Sequence, residues 1–183
     1  MGVLTWRNDH TQMQYVRGDD VVTLRSLGPA PEALAGTLSY LMGKHEVKGE
    51  RWRSTPSRGM RAVATEPHGV RHFVKVKEDL TLGAYRLSRV KYIYWNDALM
   101  MVVLESDRSA AFGVREVLEA AYGTGKRDNP YIESWHWDTP VVQLEFEVPP
   151  KLGAATATFT HLPTFREYTR ARDAAAAAGI RGL

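Results

Sequence analysis

The chain has 183 residues, of which 44% are hydrophobic, which suits a single domain with one core. It contains no cysteine, so disulfides, thiolate metal sites and a cysteine nucleophile are excluded. The net charge of +3 is too small to indicate a polyanionic partner. No apolar run approaches the roughly 20 residues of a membrane span, and the first residues lack the apolar core of a signal peptide. We therefore expect a soluble protein without a membrane span, in the cytoplasm, or in the periplasm if a leader was removed.

Positive charge is concentrated between positions 44 and 91. Twelve Lys and Arg residues stand there against five Asp and Glu residues. Such a pattern is typical of the solvated face of an antiparallel sheet, and more rarely of a surface that binds an anionic partner. In the second case the protein would be a weak nucleic-acid binder. Its candidate residues, which we name the basic strip, are Arg71, Lys75, Lys77, Arg86, Arg89 and Lys91.

The first part of the chain shows weak periodicity. We expect an N-terminal arm over 1–20, with at most one short strand, because its apolar residues follow no sustained pattern. The β-branched run at 21–27 predicts a strand, which Gly28 and Pro29 end. Leucines at helical spacing after Pro31 then predict a short amphipathic helix over 31–43.

Three short strands are predicted over 47–53, 59–65 and 69–76, because turn-forming residues separate them. In the third strand, His72 shares one face with valines. This histidine could act as an acid, a base or a ligand. The commoner situation is a histidine at the edge of the core that is satisfied by a backbone carbonyl.

A long β-hairpin is the clearest feature of the sequence. Its strands are predicted at 82–95 and 98–106, with a tight turn at Asn96-Asp97. The apolar run 99–104 should be central in the sheet. An amphipathic helix over 109–122 follows and should stop at Gly123, with Asp107 or Ser109 as its N-cap.

The first strand of the hairpin is apolar on both faces near the turn. Val90, Tyr92 and Tyr94 lie on one parity and Trp95 on the other. A single layer of helices would cover only one face, so we expect a partner, a loop or a ligand on the other. These four residues are therefore the predicted partner-binding patch.

The segment after Gly123 is irregular but rich in chemical groups. Its residues Trp135, His136, Trp137 and Asp138 could belong to a ligand pocket that Tyr92 and Tyr94 also line, with the histidine and the carboxylate at its rim. In a strand, however, the two tryptophans share one face and His136 points away from them. Packing of the tryptophans on the sheet is the alternative.

The C-terminal part predicts two strands and a helix. Over 141–148, Val142, Leu144, Phe146 and Val148 alternate with outward-facing polar residues. The threonine-rich run 154–161 predicts a last strand in an outer position. The segment 163–183 predicts a helix whose alanine-rich tail offers little surface to bury.

Catalytic signatures are missing from the sequence. It contains no HExxH, GxSxG or GxGxxG motif, and Gly123-Thr124-Gly125-Lys126 fails the phosphate-loop pattern. We therefore predict no catalytic residue, no metal site and no cofactor, and favour a protein that is not an enzyme.

Residues 82–162 resemble a known group of small domains. The order KYIYWNDALMMVVLES, EVLEAAYGTG, SWHWDTP, VVQLEFEV and ATATFTH resembles small bacterial α+β domains of unknown function, many of them periplasmic or lipoprotein domains. Tyr122-Gly123 and Trp137 match their layout. The resemblance implies a bacterial origin and an α+β fold, and it transfers no catalytic residue. The lipobox cysteine of such lipoproteins is missing here.

These patterns together predict an α+β fold. We expect one domain, 1–183, with a single twisted antiparallel sheet of about seven to nine strands and two or three helices mainly on one face. The leading functional hypothesis is a non-enzymatic bacterial binding or assembly protein that holds a protein partner, or a second copy of itself, on a sheet face or edge. The alternatives are a small-molecule-binding protein or enzyme with the aromatic pocket, and a weak nucleic-acid binder.

Overall fold

A computed structural model of the protein describes residues 3–7, 11–16, 21–26, 46–151 and 153–181. The predicted helix over 31–43 lies outside the described residues. The helices and strands are β1 (Val3–Arg7), β2 (Thr11–Val16), β3 (Val21–Ser26), β4 (Glu46–Val47), β5 (Glu50–Arg51), β6 (Met60–Glu66), β7 (Val70–Lys75), β8 (Thr81–Leu82), β9 (Tyr85–Arg86), β10 (Arg89–Trp95), β11 (Ala98–Ser106), α1 (Ala111–Tyr122), β12 (Ser134–Asp138), β13 (Val142–Glu147), β14 (Ala155–His161) and α2 (Leu162–Arg181).

The fold is α+β, as predicted, and is built on a seven-stranded antiparallel sheet in the order β12-β13-β14-β11-β10-β7-β6. The prediction of a single sheet is wrong, because three smaller sheets accompany the large one. Strands β4 and β5 pair with each other, as do β8 and β9. Strands β1, β2 and β3 form a third small sheet, so the expectation of a largely irregular N-terminal arm is also wrong. Strand β3 confirms the predicted strand at 21–27.

The hairpin of β10 and β11 is the centre of the large sheet. Asn96 and Asp97 reverse the chain with φ values of 47° and 63°, the left-handed conformation that a two-residue hairpin turn requires. Strand β11 is the fourth of seven, which confirms its predicted central position. The first hairpin strand is shorter than predicted, since residues 81–86 form the separate hairpin β8-β9 around Gly83.

One face of the large sheet is the core. A row of buried side chains crosses six strands in register, and α1 packs Val114 and Leu118 into the same cluster. The row consists of Phe73, Tyr92, Val102, Phe159, Leu144 and Trp137. The alternation predicted for the strand at 141–148 is confirmed, since Val142, Leu144, Phe146 and Val148 are all buried.

The opposite face of the sheet is half-exposed and mixed in character. One row across it, again in register, is made of His72, Ile93, Met101, Thr160, Gln143 and Asp138. The Nε2 of His72 lies 2.8 Å from Oε1 of Glu66 on β6, but it makes no hydrogen bond within the described residues, so the predicted bond to a backbone carbonyl is not seen there.

Strand β14 was predicted in an outer position, and this prediction is wrong. It lies between β11 and β13 and pairs with both. Its threonines occupy the half-exposed face, while Ala155, Ala157 and Phe159 are buried on the core face. The threonine pattern therefore indicates which face of the strand is turned towards solvent. It does not indicate that the strand lies at the edge of the sheet.

The two described helices end differently. Helix α1 follows a 3-10 turn and has no side-chain N-cap, contrary to the prediction for Asp107 or Ser109. It stops at Gly123, whose N–H donates to the carbonyl of Glu119. Helix α2 leaves β14 directly, and its side chains are exposed from Arg170 to Gly179. Neither helix of the described part of the chain is long and apolar enough to cross a bilayer.

Candidate functional site

The most distinctive cavity lies where β7 and β10 separate. These strands pair over four residues, from Trp95 opposite Val70 to Tyr92 opposite Phe73. Beyond that point, the segment Arg89–Lys91 has no residue opposite it in β7, although it pairs with β11 on its other side. A cleft of about 470 Å³ opens between the separated strand ends, within the size range of ligand-binding sites. We name it the strand cleft.

The strand cleft has apolar walls. Val74 comes from the end of β7, Val76 directly follows that strand, and Val90 comes from the start of β10. Val63 of β6 and Leu80 complete this surface. Val76 is 69% exposed, a high value for a valine beside a cavity. The cleft therefore offers apolar surface to a partner at its mouth.

The strand cleft is also cationic. Arg61, Lys75, Arg89 and Lys91 line it, while Glu78 is the one acidic residue among the described residues of its lining. Arg89 and Lys91 share a single carboxylate, that of Glu105 on β11. Arg61 is exposed and makes no ion pair or hydrogen bond within the described residues. The lining thus carries positive charge that its neighbours only partly neutralise.

Lys75 is held in place from outside the cleft. Its Nζ lies 2.9 Å from Oε1 of Glu50 and donates a 2.9 Å hydrogen bond to the carbonyl of Lys48. Glu50 is buried and also accepts a 2.8 Å hydrogen bond from Ser57. The Lys75 ammonium lies 5.1 Å from the centre of the Tyr92 ring. This cation is therefore a fixed part of the wall.

Glu78 accepts a hydrogen bond from a tyrosine of the core. The hydroxyl of Tyr92 donates a 2.6 Å hydrogen bond to its Oε2. Burial raises the pKa of Tyr92 well above its ordinary value, and the hydrogen bond with Glu78 raises it further. The tyrosine therefore stays protonated and keeps donating at neutral pH. It occupies one oxygen of the only carboxylate that lines the cleft.

The strand cleft offers charged, polar and aliphatic groups. Its described lining supplies cations, aliphatic side chains, Ser88 and Glu78. Among the described residues, no group of three or more His, Cys, Asp or Glu side chains is arranged to hold a metal ion. The arrangement can attract an anion and cover apolar surface.

Most of the predicted partner-binding patch is buried. Val90, Tyr92 and Tyr94 are almost completely buried in the core cluster, so the expectation of an uncovered face there is wrong. The half-exposed face carries the other parity, Lys91, Ile93 and Trp95. Trp95 donates from Nε1 to the carbonyl of His68 at 3.0 Å. Of the four residues, Val90 reaches a cavity, at the floor of the strand cleft.

The predicted aromatic pocket is not assembled. Trp135 and Trp137 are buried on the core face, whereas His136 and Asp138 lie on the other face, as the alternation indicated. Trp137 donates to the carbonyl of Gly123 at 2.7 Å. The Nε2 of His136 is 3.5 Å from Oδ2 of Asp138, too long for a good hydrogen bond. Tyr92 and Tyr94 lie across the sheet and close no cavity with them.

The basic strip is divided by the fold. Lys75, Arg89 and Lys91 line the strand cleft, and Arg71 pairs with Asp97 at the hairpin turn. Lys77 and Arg86 are exposed and make no ion pair within the described part of the chain. Internal carboxylates therefore face four of the six members of the strip.

The sequence pattern does not reveal the strand cleft, its lining residues Glu78 and Arg61, or Glu50, which holds Lys75. The cleft exists because residues 81–86 turn away as their own hairpin instead of continuing β10. The sequence offers one signal of this break in the strand, Gly83, which interrupts the strand pattern. In the structure its φ is 59°.

Comparisons with models of protein families, with curated proteins and with solved structures found no match to this chain. The resemblance of residues 82–162 to small bacterial domains stays a prediction. Function must therefore be argued from the side chains themselves.

Proposed function

We propose that this protein is a non-catalytic binding protein that holds an extended, acidic segment of a protein partner in the strand cleft. The observation that carries this proposal is the separation of β7 and β10 beyond Phe73 and Tyr92, which leaves two strand ends facing a cationic, valine-lined space. It refines the prediction of a binding protein that uses a sheet edge.

Strand geometry supports an extended occupant. Among the described residues, the segment Arg89–Lys91 pairs on one side only, with β11, so its other side is a short sheet edge in that part of the structure. Such edges recruit extended peptides through backbone hydrogen bonds, and pockets beside them select alternate side chains. Val90 and Lys91, which point to opposite faces, would contact alternate residues of such a peptide.

Charge supports an acidic occupant. Four cations and one carboxylate line the cleft, and Tyr92 already engages that carboxylate. Carboxylates placed between the valines would meet Arg61, Arg89 and Lys91 without a rearrangement of the core. A partner with alternating acidic and aliphatic residues fits both features.

A peptide fits this site better than a nucleic acid does. The cations sit in a cleft between strands, where a phosphate backbone with its bases has no aromatic platform to stack on. The remaining unpaired cations of the basic strip, Lys77 and Arg86, do not line the cleft.

The test is the binding of a fluorescent peptide of alternating Glu and Val, measured by anisotropy at low and moderate salt. We expect saturable binding that weakens about threefold to tenfold in Arg61→Gln, a loss of roughly 1 kcal/mol. Arg61 has no partner in the described residues, so this change should leave the fold intact. Arg166→Gln on α2, an equal loss of charge elsewhere, serves as the matched control and should bind as the wild type does.

Three outcomes would contradict the proposal. The first is no saturable binding of the acidic peptide. The second is equal binding of a Lys and Val peptide, and the third is tighter binding of a single-stranded oligonucleotide of the same charge, which would favour the nucleic-acid alternative.

A further inference from the structure

Helix α1 and strand β12 line a second cavity, which is open to solvent and lies on the other side of the sheet centre from the strand cleft. Its volume is about 240 Å³. For comparison, a cavity of roughly 150 Å³ is large enough to hold benzene. Its apolar lining is formed by Ala111, Phe112, Trp135, Phe146 and Val148.

The guanidinium of Arg115 projects beside this cavity between aromatic rings. Its Cζ lies 4.6 Å from the centre of the Trp135 ring and 5.0 Å from that of Phe112. Rings at these distances hold a guanidinium in a fixed plane while leaving its N–H groups unused. Phe112 is 64% exposed, so it also forms an open wall for an entering molecule.

Arg115 has hydrogen-bonding capacity that the described residues do not use. Its Nε is buried without a hydrogen-bond partner, and its nearest carboxylate, Oε1 of Glu119, is 3.9 Å away. That distance is beyond a hydrogen bond. Leaving this buried N–H without an acceptor is costly. An anion that reached it from the cavity would supply the missing acceptor.

The other arginine of the cavity has a different role. Arg108 donates from one terminal nitrogen to the carbonyls of Pro149 and Lys151, at 2.6 and 2.9 Å, and so fastens the loop after β13. Glu133 also lines the cavity, and its charge disfavours ligands with more than one negative charge. The site therefore suits a single carboxylate.

We infer that this cavity binds a small monocarboxylate with a flat apolar body, whose carboxylate pairs with Arg115 and whose body packs against Phe112 and the other apolar residues of the lining. This site is separate from the strand cleft and does not depend on the function proposed for it. We name it the Arg115 site.

Benzoate is a suitable probe, and benzyl alcohol is its uncharged counterpart. Titration calorimetry at low salt should give saturable binding of benzoate and binding at least about tenfold weaker for the alcohol. In wild-type protein, nuclear magnetic resonance should show a shift of the Arg115 Nε–H signal as benzoate is added. Phe112→Ala, a change at an exposed position, should weaken binding several-fold.

Arg115→Gln should weaken benzoate binding by about tenfold or more, while Arg166→Gln and Arg61→Gln should leave it unchanged. If Arg115→Gln unfolds the protein, the Nε–H shift and Phe112→Ala still decide the matter. The inference is overturned by no saturable binding, by equal binding of the alcohol, by an unmoved Nε–H signal, or by a loss that follows Arg61→Gln instead.

Discussion

The hydroxyl of Tyr92, on a ring without exposed surface, donates a 2.6 Å hydrogen bond to Oε2 of Glu78 in the wall of the strand cleft. This bond joins the hydrophobic core to the candidate binding site. Its two partners come from β10 and from the loop between β7 and β8. Changes in the core beneath Tyr92 should therefore be felt in the cleft.

Tyr92→Phe should destabilise the protein by about 1–2 kcal/mol, because it removes this hydrogen bond and leaves an oxygen of the half-buried Glu78 unpaired. Urea unfolding followed by circular dichroism measures the change. Tyr94→Phe is the matched control, since among the described residues the Tyr94 hydroxyl donates to a weak acceptor, Sδ of Met60, at 3.3 Å. A loss in Tyr94→Phe as large as that in Tyr92→Phe would contradict this account.

Stability should fall at alkaline pH. Burial raises the pKa of Tyr92, Tyr94 and Tyr122 above the ordinary value of 10.0. The folded state therefore keeps protons that the unfolded chain releases above about pH 10, so the stabilisation is complete below that pH and is lost above it. Above about pH 10, each of these tyrosines should lower the free energy of unfolding by about 1.4 kcal/mol per pH unit. Unfolding free energies measured on both sides of about pH 10 check the slope, and Tyr92→Phe should reduce it by about a third.

Two glycine substitutions should have opposite effects. In α1, a Cβ at Gly113 would lie 2.1 Å from carbons of the Tyr85 ring, so Gly113→Ala should destabilise by about 1 kcal/mol or more despite the better helix propensity of alanine. In α2, nothing lies within 4 Å of a Cβ at Gly179, so Gly179→Ala should stabilise by about 0.5 kcal/mol. Thermal unfolding of both variants tests this prediction. A change in stability of the same sign in both variants would contradict it.

The buried ion pair beside the cleft should show strong coupling. Lys75→Met leaves the carboxylate of Glu50 buried with only Ser57 and should cost about 3 kcal/mol. Adding Glu50→Gln to that variant removes the stranded charge and should recover most of the loss. A double-mutant cycle from urea unfolding measures the coupling energy. Simple additivity of the two single changes would show that Lys75 and Glu50 do not act as a pair.

Local signals were sufficient for much of the fold. The Asn96-Asp97 turn, the helix that ends at Gly123 and the alternation of β13 depend on residues close in sequence, and all three are confirmed. The sequence pattern did not show which face of β10 packs against the core. Both of its parities carry large apolar side chains, so periodicity alone could not tell that Tyr92 and Tyr94 face the core.

The candidate sites depend on contacts that sequence spacing does not report. The strand cleft needs β7 and β10 to separate at Phe73, and the Arg115 site needs α1 to lie beside β12. Arg115 and Trp135 are 20 positions apart, with an irregular segment between them. The sequence pattern does not single out Arg115, and it groups Trp135 with His136, its neighbour in sequence, whose side chain lies on the other face of β12.

The pairing of β11 with β14 bears on the order in which the nascent chain folds. Ser106 lies opposite Ala155, so the ribosome adds about 50 residues after β11 before its partner edge exists. At typical synthesis rates, the apolar edge of β11 stays open for about 3–10 s. An open edge of this kind invites pairing between copies. A chain ending at Gly123 should therefore self-associate in sedimentation experiments, and a monomeric truncated chain would show that the edge is protected by other means.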